Sequence, residues 1–466
     1  MGPAQALNTL KAAGDKKDEV VSDVSKMPPP GKGSPLAFYI SSQKNFVFNS
    51  PSKSGGELWV DLPRERYKAH LLAKGFGPRM VESIIAWCEI NERIQYFGPV
   101  AGRAPGYYED NGNRIVVDRG PILLEPVKGS WSTLRKVITG LLAYGETESN
   151  GEAQLNTFFG WLRSSVVALR EGRRQSQQVL VICGPEDCGK SLLQHLLTHF
   201  LGGRSAKAHR YFSGATTFNG DMLGAEHLII EDDYMPSDMK SRLALGAQFK
   251  QFAVGTEAVS FNAKFLQAIN LRAFFRVSVT CNDEPENLMV LPPLNGDIGN
   301  KIIILRASRF EMPMPTVTAE EKEKFWNTMY EEIPAFLHWL LNEFVLPDGR
   351  CDRRYGVSSW VHPEIFEKVA ETTPEEALLV LIDKHYFYNV SSSNKNIQRQ
   401  ASDIRMDLLS SGDDYVRRQA EKLLPFAHTI GTYLGRLSKT NAARVSCVRR
   451  ADGREWTVIN PSTITQ

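Results

Sequence analysis

The stretch Gly184-Pro185-Glu186-Asp187-Cys188-Gly189-Lys190-Ser191 sets glycines, a lysine and a hydroxyl at the spacing G-x-x-x-x-G-K-S. Each of these residue types answers a need of phosphate chemistry. Glycines let the backbone curl until its N–H groups point inward at phosphate oxygens, and a helix starting there adds the positive end of its dipole. Lys190 then reaches the β- and γ-phosphates, while Ser191 offers an oxygen to Mg²⁺. The apolar run QVLVIC leads into the turn and the amphipathic run SLLQHLL leads out, so a strand and a helix are expected to hold it.

Two further groups stand at the ends of later apolar runs. HLIIEDDY supplies Glu231, read as an anchor for Mg²⁺, and Asp232, read as the base that polarises an attacking water; Asp233 competes for either role. RVSVTCND brings Asn282, a neutral amide that can orient water against a γ-phosphate without adding charge. Acid pairs and terminal asparagines are common at strand ends; their succession behind a phosphate loop is what gives them a role. Between them, Lys250, Lys264, Arg272 and Arg276 interleave with Phe249, Phe252, Phe261 and Phe265. Such cations can neutralise nucleic-acid phosphates, and such rings can stack on bases or brace a hairpin. His195 and His199 share a helix face but lack the Glu of a zinc-protease motif, so they are read as packing residues.

The elements that must position these groups alternate between strand and helix signals. Strands apolar on both faces and separated by helices predict a mainly parallel sheet covered on both sides over residues 151–345. Residues 1–35 read as a polar tail, and residues 36–150 as a small α+β domain built on LAFYI, NFVFN, ELWVDL and RIVVD with a helix over Pro78–Glu92. NTFFGWLRSSVVALREG predicts a helix over 156–172, and EKEKFWNTMYEEIPAFLHWLLNEF predicts two helices broken near Pro334. Residues 346–466 read as helical, closing with a helix (TIGTYLGRLSK) and a hairpin around Asp452-Gly453, a winged-helix-like module. There RRADGREW, with Arg436, Lys439 and Arg444, is either a DNA-contacting wing or a solvated hairpin.

Composition bounds the alternatives. At 466 residues the chain exceeds one compact core, which implies two or three domains. A net charge of +2 means that any polyanion must be met by local patches rather than by the field of the whole molecule. Six scattered cysteines suggest a reducing compartment, and Cys183 and Cys188 lack the second pair that zinc would need. No apolar run approaches the ~20 residues of a membrane span, and Met1–Val20 lacks the core of a signal peptide. The expectation is a soluble, cytoplasmic protein with no membrane partner.

In order, the phosphate loop, the strand with paired acids, the basic hairpin and the strand ending in Asn resemble superfamily 3 helicases, and most closely the helicase part of phage and plasmid primase-helicases. Residues 154–345 carry the match to the superfamily. The flanking VAGRAPGYYEDNG, NDEPENLMVLPPL, PAFLHWLL and DRRYGV resemble one phage-associated branch of it. The resemblance implies a P-loop, AAA+-like α/β ATPase core in a ring-shaped homo-oligomer, a hexamer. It implies ATP and Mg²⁺ as cofactors, single-stranded and forked DNA as partners, and a separate primase or polymerase beside it. The cofactor would touch Gly184 to Ser191, and the metal Ser191 and Glu231. By the same resemblance Lys264 lies in the hairpin that grips single-stranded DNA, with Lys250 just upstream. Family members place an arginine near the start of the strand after the Asn motif, where it reaches a neighbour's γ-phosphate. This sequence has Lys301 there, with Arg306 and Arg309 as alternatives. The stretch ahead of Asn150 is short for a primase domain and lacks a cluster of metal-binding acids. Two other readings stay open, a DNA-stimulated ATPase switch or defence component without unwinding, and an origin-binding or loader protein.

Overall fold

The computed structural model describes residues 37–51, 57–231, 239–254, 258–262, 268–288, 291–292, 298–371, 374–388, 395–450 and 453–460. The chain divides into two compact units: Met1–Asp283 with Asn295–His362, and Glu284–Leu294 with Pro363–Gln466.

The first unit opens with β1 (Phe38–Ile40), β2 (Asn45–Pro51), β3 (Glu57–Pro63) and β4 (Arg93–Ile94), paired in the order β3-β2-β1-β4. Helices α1 (Arg64–Ala73) and α2 (Pro78–Asn91) bury Tyr67, Leu71, Val81, Ile84 and Ile85 against Phe46 and Phe48 of that sheet. A second small sheet joins β5 (Tyr96–Phe97), β6 (Gly106–Asp110) and β7 (Asn113–Val117) in the order β5-β7-β6.

Helices α3 (Ser132–Ala143) and α4 (Glu148–Arg170) lead into the larger sheet. Its strands are β8 (Val179–Cys183), β9 (Ser205–Lys207), β10 (His227–Glu231), β13 (Arg276–Cys281) and β14 (Ile302–Arg306), while β11 (Val259–Phe261) and β12 (Ile269–Leu271) form a separate antiparallel hairpin. The large sheet runs β14-β8-β13-β10-β9 with every neighbouring pair parallel. Parallel strands need helical crossovers that cover both faces, which is why VLVIC in β8 and RVSVTC in β13 are buried at every position. Helix α5 (Lys190–Phe200) follows β8, α6 (Met239–Val254) precedes the hairpin, and α7 (Ala319–Asn342) follows β14. Residues of α3, α4, α5 and α7 close one core over β8 and β14, with Trp161, Phe158, Phe325 and Phe336 fully buried in it.

Two helices depart from the pattern read in the sequence. Helix α4 begins at Glu148 rather than near Asn156, capped by Thr147, whose hydroxyl accepts from the Asn150 N–H. Its first turns are polar and glycine-bearing, so they carry no apolar stripe. They are held by packing instead: Gly151 lies so close to α3 that an added Cβ would stand 3.1 Å from Ala143 Cβ, and Gln154 Nε2 donates to Leu142 O at 2.8 Å. The expected break near Pro334 is absent, and α7 runs continuously through it. A proline inside a helix costs roughly 3 kcal/mol. Each large apolar side chain buried from the same helix returns about 1.5–3 kcal/mol, and Phe325, Met329, Ile333, Phe336, Leu337 and Leu340 are all buried. Packing wins.

The second unit contains α8 (Pro363–Glu371), α9 (Pro374–Asp383), β15 (Asn396–Gln400), α10 (Ala401–Leu409), α11 (Asp414–Leu423), α12 (Thr429–Thr440) and the antiparallel pair β16 (Val445–Arg450) and β17 (Gly453–Ile459). The sheet order is β15-β17-β16, and Leu378, Ile382, Ile404, Leu434, Trp456 and Val458 fill the core. The closing helix and hairpin are as expected from the sequence; Asp452 lies outside the described residues. Three of the arginines there are engaged within the unit. Arg444 forks onto Asp383 at 2.5 and 3.1 Å, Arg436 pairs with Glu375 at 2.6 Å, and Arg450 with Glu455 at 2.6 Å.

Candidate functional site

Strand β8 ends at Cys183, and the loop from Gly184 to Gly189 returns the chain into α5. Asp187 (φ +56°) and Gly189 (φ +107°) both adopt the left-handed region. Glycine meets that geometry without a Cβ penalty, whereas Asp187 bears it as part of the turn. Gly184 answers a different need: a Cβ there would stand 2.3 Å from the carbonyl oxygen of Ala307 on the chain leaving β14. That chain is laced to the loop, since the Ala307 N–H donates to Cys183 O, and Arg309 donates through Nε and Nη2 to Glu186 O at 3.2 and 2.9 Å. The N-cap of α5 is Gly189, which supplies no side-chain capping bond. Glu186, Asp187 and Ser191 are exposed, Pro185 is half-buried and Cys188 is buried, where desolvation pushes its thiol pKa up.

The Lys190 ammonium lies across the loop. Its Nζ donates to Gly184 O (2.9 Å), Pro185 O (2.7 Å) and Asn282 Oδ1 (2.8 Å). Asn282 follows β13, the strand between β8 and β10, so the sheet order delivers it to the loop's own edge. Glu231, the last residue of β10, pairs in register with Thr280 and ends at the same edge; its carboxylate accepts from Lys207 Nζ at 2.7 Å. Asp232 and Asp233 lie outside the described residues, as do Lys264 and Phe265.

Below the loop is a buried polar layer. Gln194 of α5 donates to Ser278 Oγ (2.8 Å), Ser278 Oγ meets His227 Nε2 (2.7 Å), and His227 Nδ1 meets Thr198 Oγ1 (2.7 Å). This layer ties the helix of the phosphate loop to the acid-bearing and Asn-bearing strands. Complete burial lowers the His227 pKa to about 3, so the ring is neutral.

The three candidate cations separate cleanly. Lys301 closes a short helical turn just before β14, at the sheet edge opposite the loop. With ~3.3 Å of rise per strand residue, that is about 16 Å along the strand from Arg306. Arg306 ends β14 at the loop edge, where its Nη1 pairs with Glu146 at 3.0 Å, and Asp283 stands 3.8 Å from its Nε. The Glu146 side chain is 3% exposed, and its other oxygen meets His362 Nε2 at 3.0 Å. Nothing in the local sequence signals Glu146, because its partners lie 160 and 216 residues on. The strap from Arg309 to the loop was equally invisible.

The basic hairpin region is partly reassigned. Lys250 lies half-buried on α6. Phe249, Phe252 and Phe261 are buried and pack with Phe212 and Phe275, so they brace the hairpin rather than offer faces to bases. Arg276, grouped in the sequence with cations offered to phosphates, is 2% exposed and donates to Ser165 Oγ at 2.9 Å. It opens a strand buried on both faces and cannot reach a solvated strand. His195 and His199 pack against Trp326 and Tyr330.

No family model matches the sequence, and no curated protein matches it. By fold, the chain is similar to the apo C-terminal region of NrS-1. Two such structures match 91% of this chain and 95% and 97% of theirs, at 13% and 14% identity and a TM-score of 0.50. A JCV helicase matches 41% of this chain and 55% of its own at 12% identity and a TM-score of 0.23. The active helicase Cch of SCCmec type IV matches 87% and 69% at 10% identity and a TM-score of 0.27, and likeness at those two scores carries no conclusion. The shared property is the fold of the NrS-1 region, a mixed α/β chain around a parallel sheet.

Proposed function

We propose that this chain is an ATP-dependent DNA helicase or translocase of the superfamily 3 kind, serving a phage, plasmid or other mobile element. One observation carries the reading. The Lys190 ammonium and the Asn282 amide, 92 residues apart in sequence, meet at the loop. The fit to a nucleotide rests on that loop. Its helix N-cap is a glycine with no side-chain capping bond, and its lysine is held by neutral acceptors, for which a charged phosphate oxygen is the stronger partner.

In this reading Ser191 and Glu231 hold Mg²⁺, which when bound neutralises charge on the phosphates. Glu231, now paired with Lys207, would supply the carboxylate to that ion, Asp232 takes a proton from the attacking water, and Asn282 orients the water against the γ-phosphate. Lys250 and Lys264 take phosphates of the single strand. The distance of Lys301 from its own loop supports Lys301 as the cation that serves a neighbour's site in a ring, a hexamer, with Arg306 as the alternate. The test is ATP turnover with and without single-stranded DNA. Hydrolysis stimulated by the strand is expected, and it should be abolished by Lys190→Ala in a chain that still folds. Wild-type turnover in Lys190→Ala would remove the phosphate-loop assignment.

A further inference from the structure

A second group of cations gathers at the edge of the large sheet away from the phosphate loop. Arg276 opens β13, Arg173 and Arg174 lie between α4 and β8, and Arg103 lies just ahead of β6. Arg103, Arg173 and Arg174 border a cavity of about 310 Å³, walled also by Gly102, Tyr108 and Phe274; Arg276 lies outside its lining, against Phe274.

The charges around this cavity do not balance. Arg103 and Arg174 converge on one carboxylate, Asp110, which is 6% exposed; Arg174 Nη2 lies 3.3 Å from its Oδ2, and Arg103 Nη2 bonds the same oxygen. That oxygen also accepts the Arg272 N–H at 3.1 Å. Among the described residues, the exposed Glu171 is the one ion-pair partner of Arg173. Arg103 is 10% exposed at its side chain, and its Nε has no hydrogen-bond partner among the described residues. Behind the wall, the Arg276 guanidinium stacks on Phe274 with 4.0 Å from Cζ to the ring centroid, and its buried Nη2 also has no partner. Uncompensated buried cations cost several kcal/mol each unless a counter-charge completes the group.

The walls are rigid. Gly102 sits at φ +73°, where a Cβ would stand 2.4 Å from Phe274 Cβ, so only glycine lets that ring close the cavity. The Gly102 N–H donates to Glu226, a fully buried acid that is itself clamped by Arg204. Tyr108 and Phe274 add aromatic surface, with the Arg103 guanidinium 4.9 Å from the Tyr108 centroid.

We propose that this cavity binds a phosphate oxyanion. Planar guanidinium forks match phosphate geometry, an added dianion offsets the surplus of cations over Asp110, and the rings accept an attached base or sugar. The phosphate comes either from a free small molecule or from the backbone of a single nucleic-acid strand. The site is independent of the nucleotide site proposed above.

The experiment uses the full chain carrying Lys190→Ala, which silences the phosphate loop. Thermal unfolding is followed in inorganic phosphate and in chloride at equal ionic strength. Phosphate is expected to raise the midpoint in a concentration-dependent way, and the added pair Arg173→Gln and Arg174→Gln, on exposed or half-exposed side chains, should abolish the rise. In parallel, the affinity for a labelled oligothymidylate is measured against salt. If the source is a strand, the same pair lowers the slope of log K against log salt by ~0.7 per lost contact; if it is a free phosphate, the slope is unchanged while the thermal effect persists. No phosphate-specific shift together with an unchanged slope overturns the proposal.

Discussion

Lys190 is held by three neutral acceptors, and the amide of Asn282 is the one that belongs to another strand. A carboxylate at that position would turn the bond between ammonium and neutral amide into an ion pair and keep the ammonium from phosphate. Hydrogen bonds to charged groups are worth ~1.5–3 kcal/mol, so Asn282→Asp should weaken nucleotide binding by roughly tenfold or more, read by titration with a fluorescent ATP analogue. Unchanged affinity would mean that the contact has no bearing on the nucleotide. His227 offers a test of the layer beneath. Its folded pKa of about 3 lies below the ordinary 6.5, so the unfolded chain takes up the proton first as pH falls. Its neutral, hydrogen-bonded form is favourable above pH 6.5, and stability is lost as pH falls from 6.5 toward 3, by up to about 1.4 kcal/mol per pH unit. Denaturant unfolding between pH 7 and pH 5 should show a shallower pH dependence in His227→Gln than in the parent chain. An equal slope in both would show that this ring does not titrate with folding.

At the scale of elements, the contrast between the phosphate loop and α7 shows what sequence makes legible. The loop's signal is local: its glycines, lysine and flanking strand and helix all lie within one short run, so the turn is legible from types and spacing, though not the Ala307 and Arg309 contacts that hold it. Helix α7 is not local. Pro334 signals a break, and only burial against α3, α4 and the sheet keeps the helix whole. Its start is fixed by a capping box, Thr318 accepting from the Glu321 N–H while Glu321 accepts from Thr318. Thr318→Ala should therefore cost about 1 kcal/mol of stability, measured by chemical unfolding. A loss below a few tenths would show that packing alone fixes the helix start. The same reasoning explains Glu146 and Arg309. Each takes its role from a partner more than a hundred residues away, and no periodicity in the sequence records such a pairing. The aromatic residues before and within the basic hairpin were ambiguous for a related reason, because a ring that stacks on a base and a ring that braces a core leave the same trace in composition.

For the whole molecule, the first unit gives way to the second at two places, after Asp283 and after His362. Both residues belong to the group around Arg306 and Glu146 at the loop edge of the sheet. The proposal that ATP hydrolysis at Gly184–Ser191 drives movement along DNA is put to strand displacement from a forked duplex with a single-stranded arm, with ATP and Mg²⁺. Displacement is expected from the wild-type chain, none with a non-hydrolysable analogue, and none from Lys190→Ala. ATP hydrolysis stimulated by the strand but with the duplex left intact, in rings shown to have assembled on the fork, would contradict it.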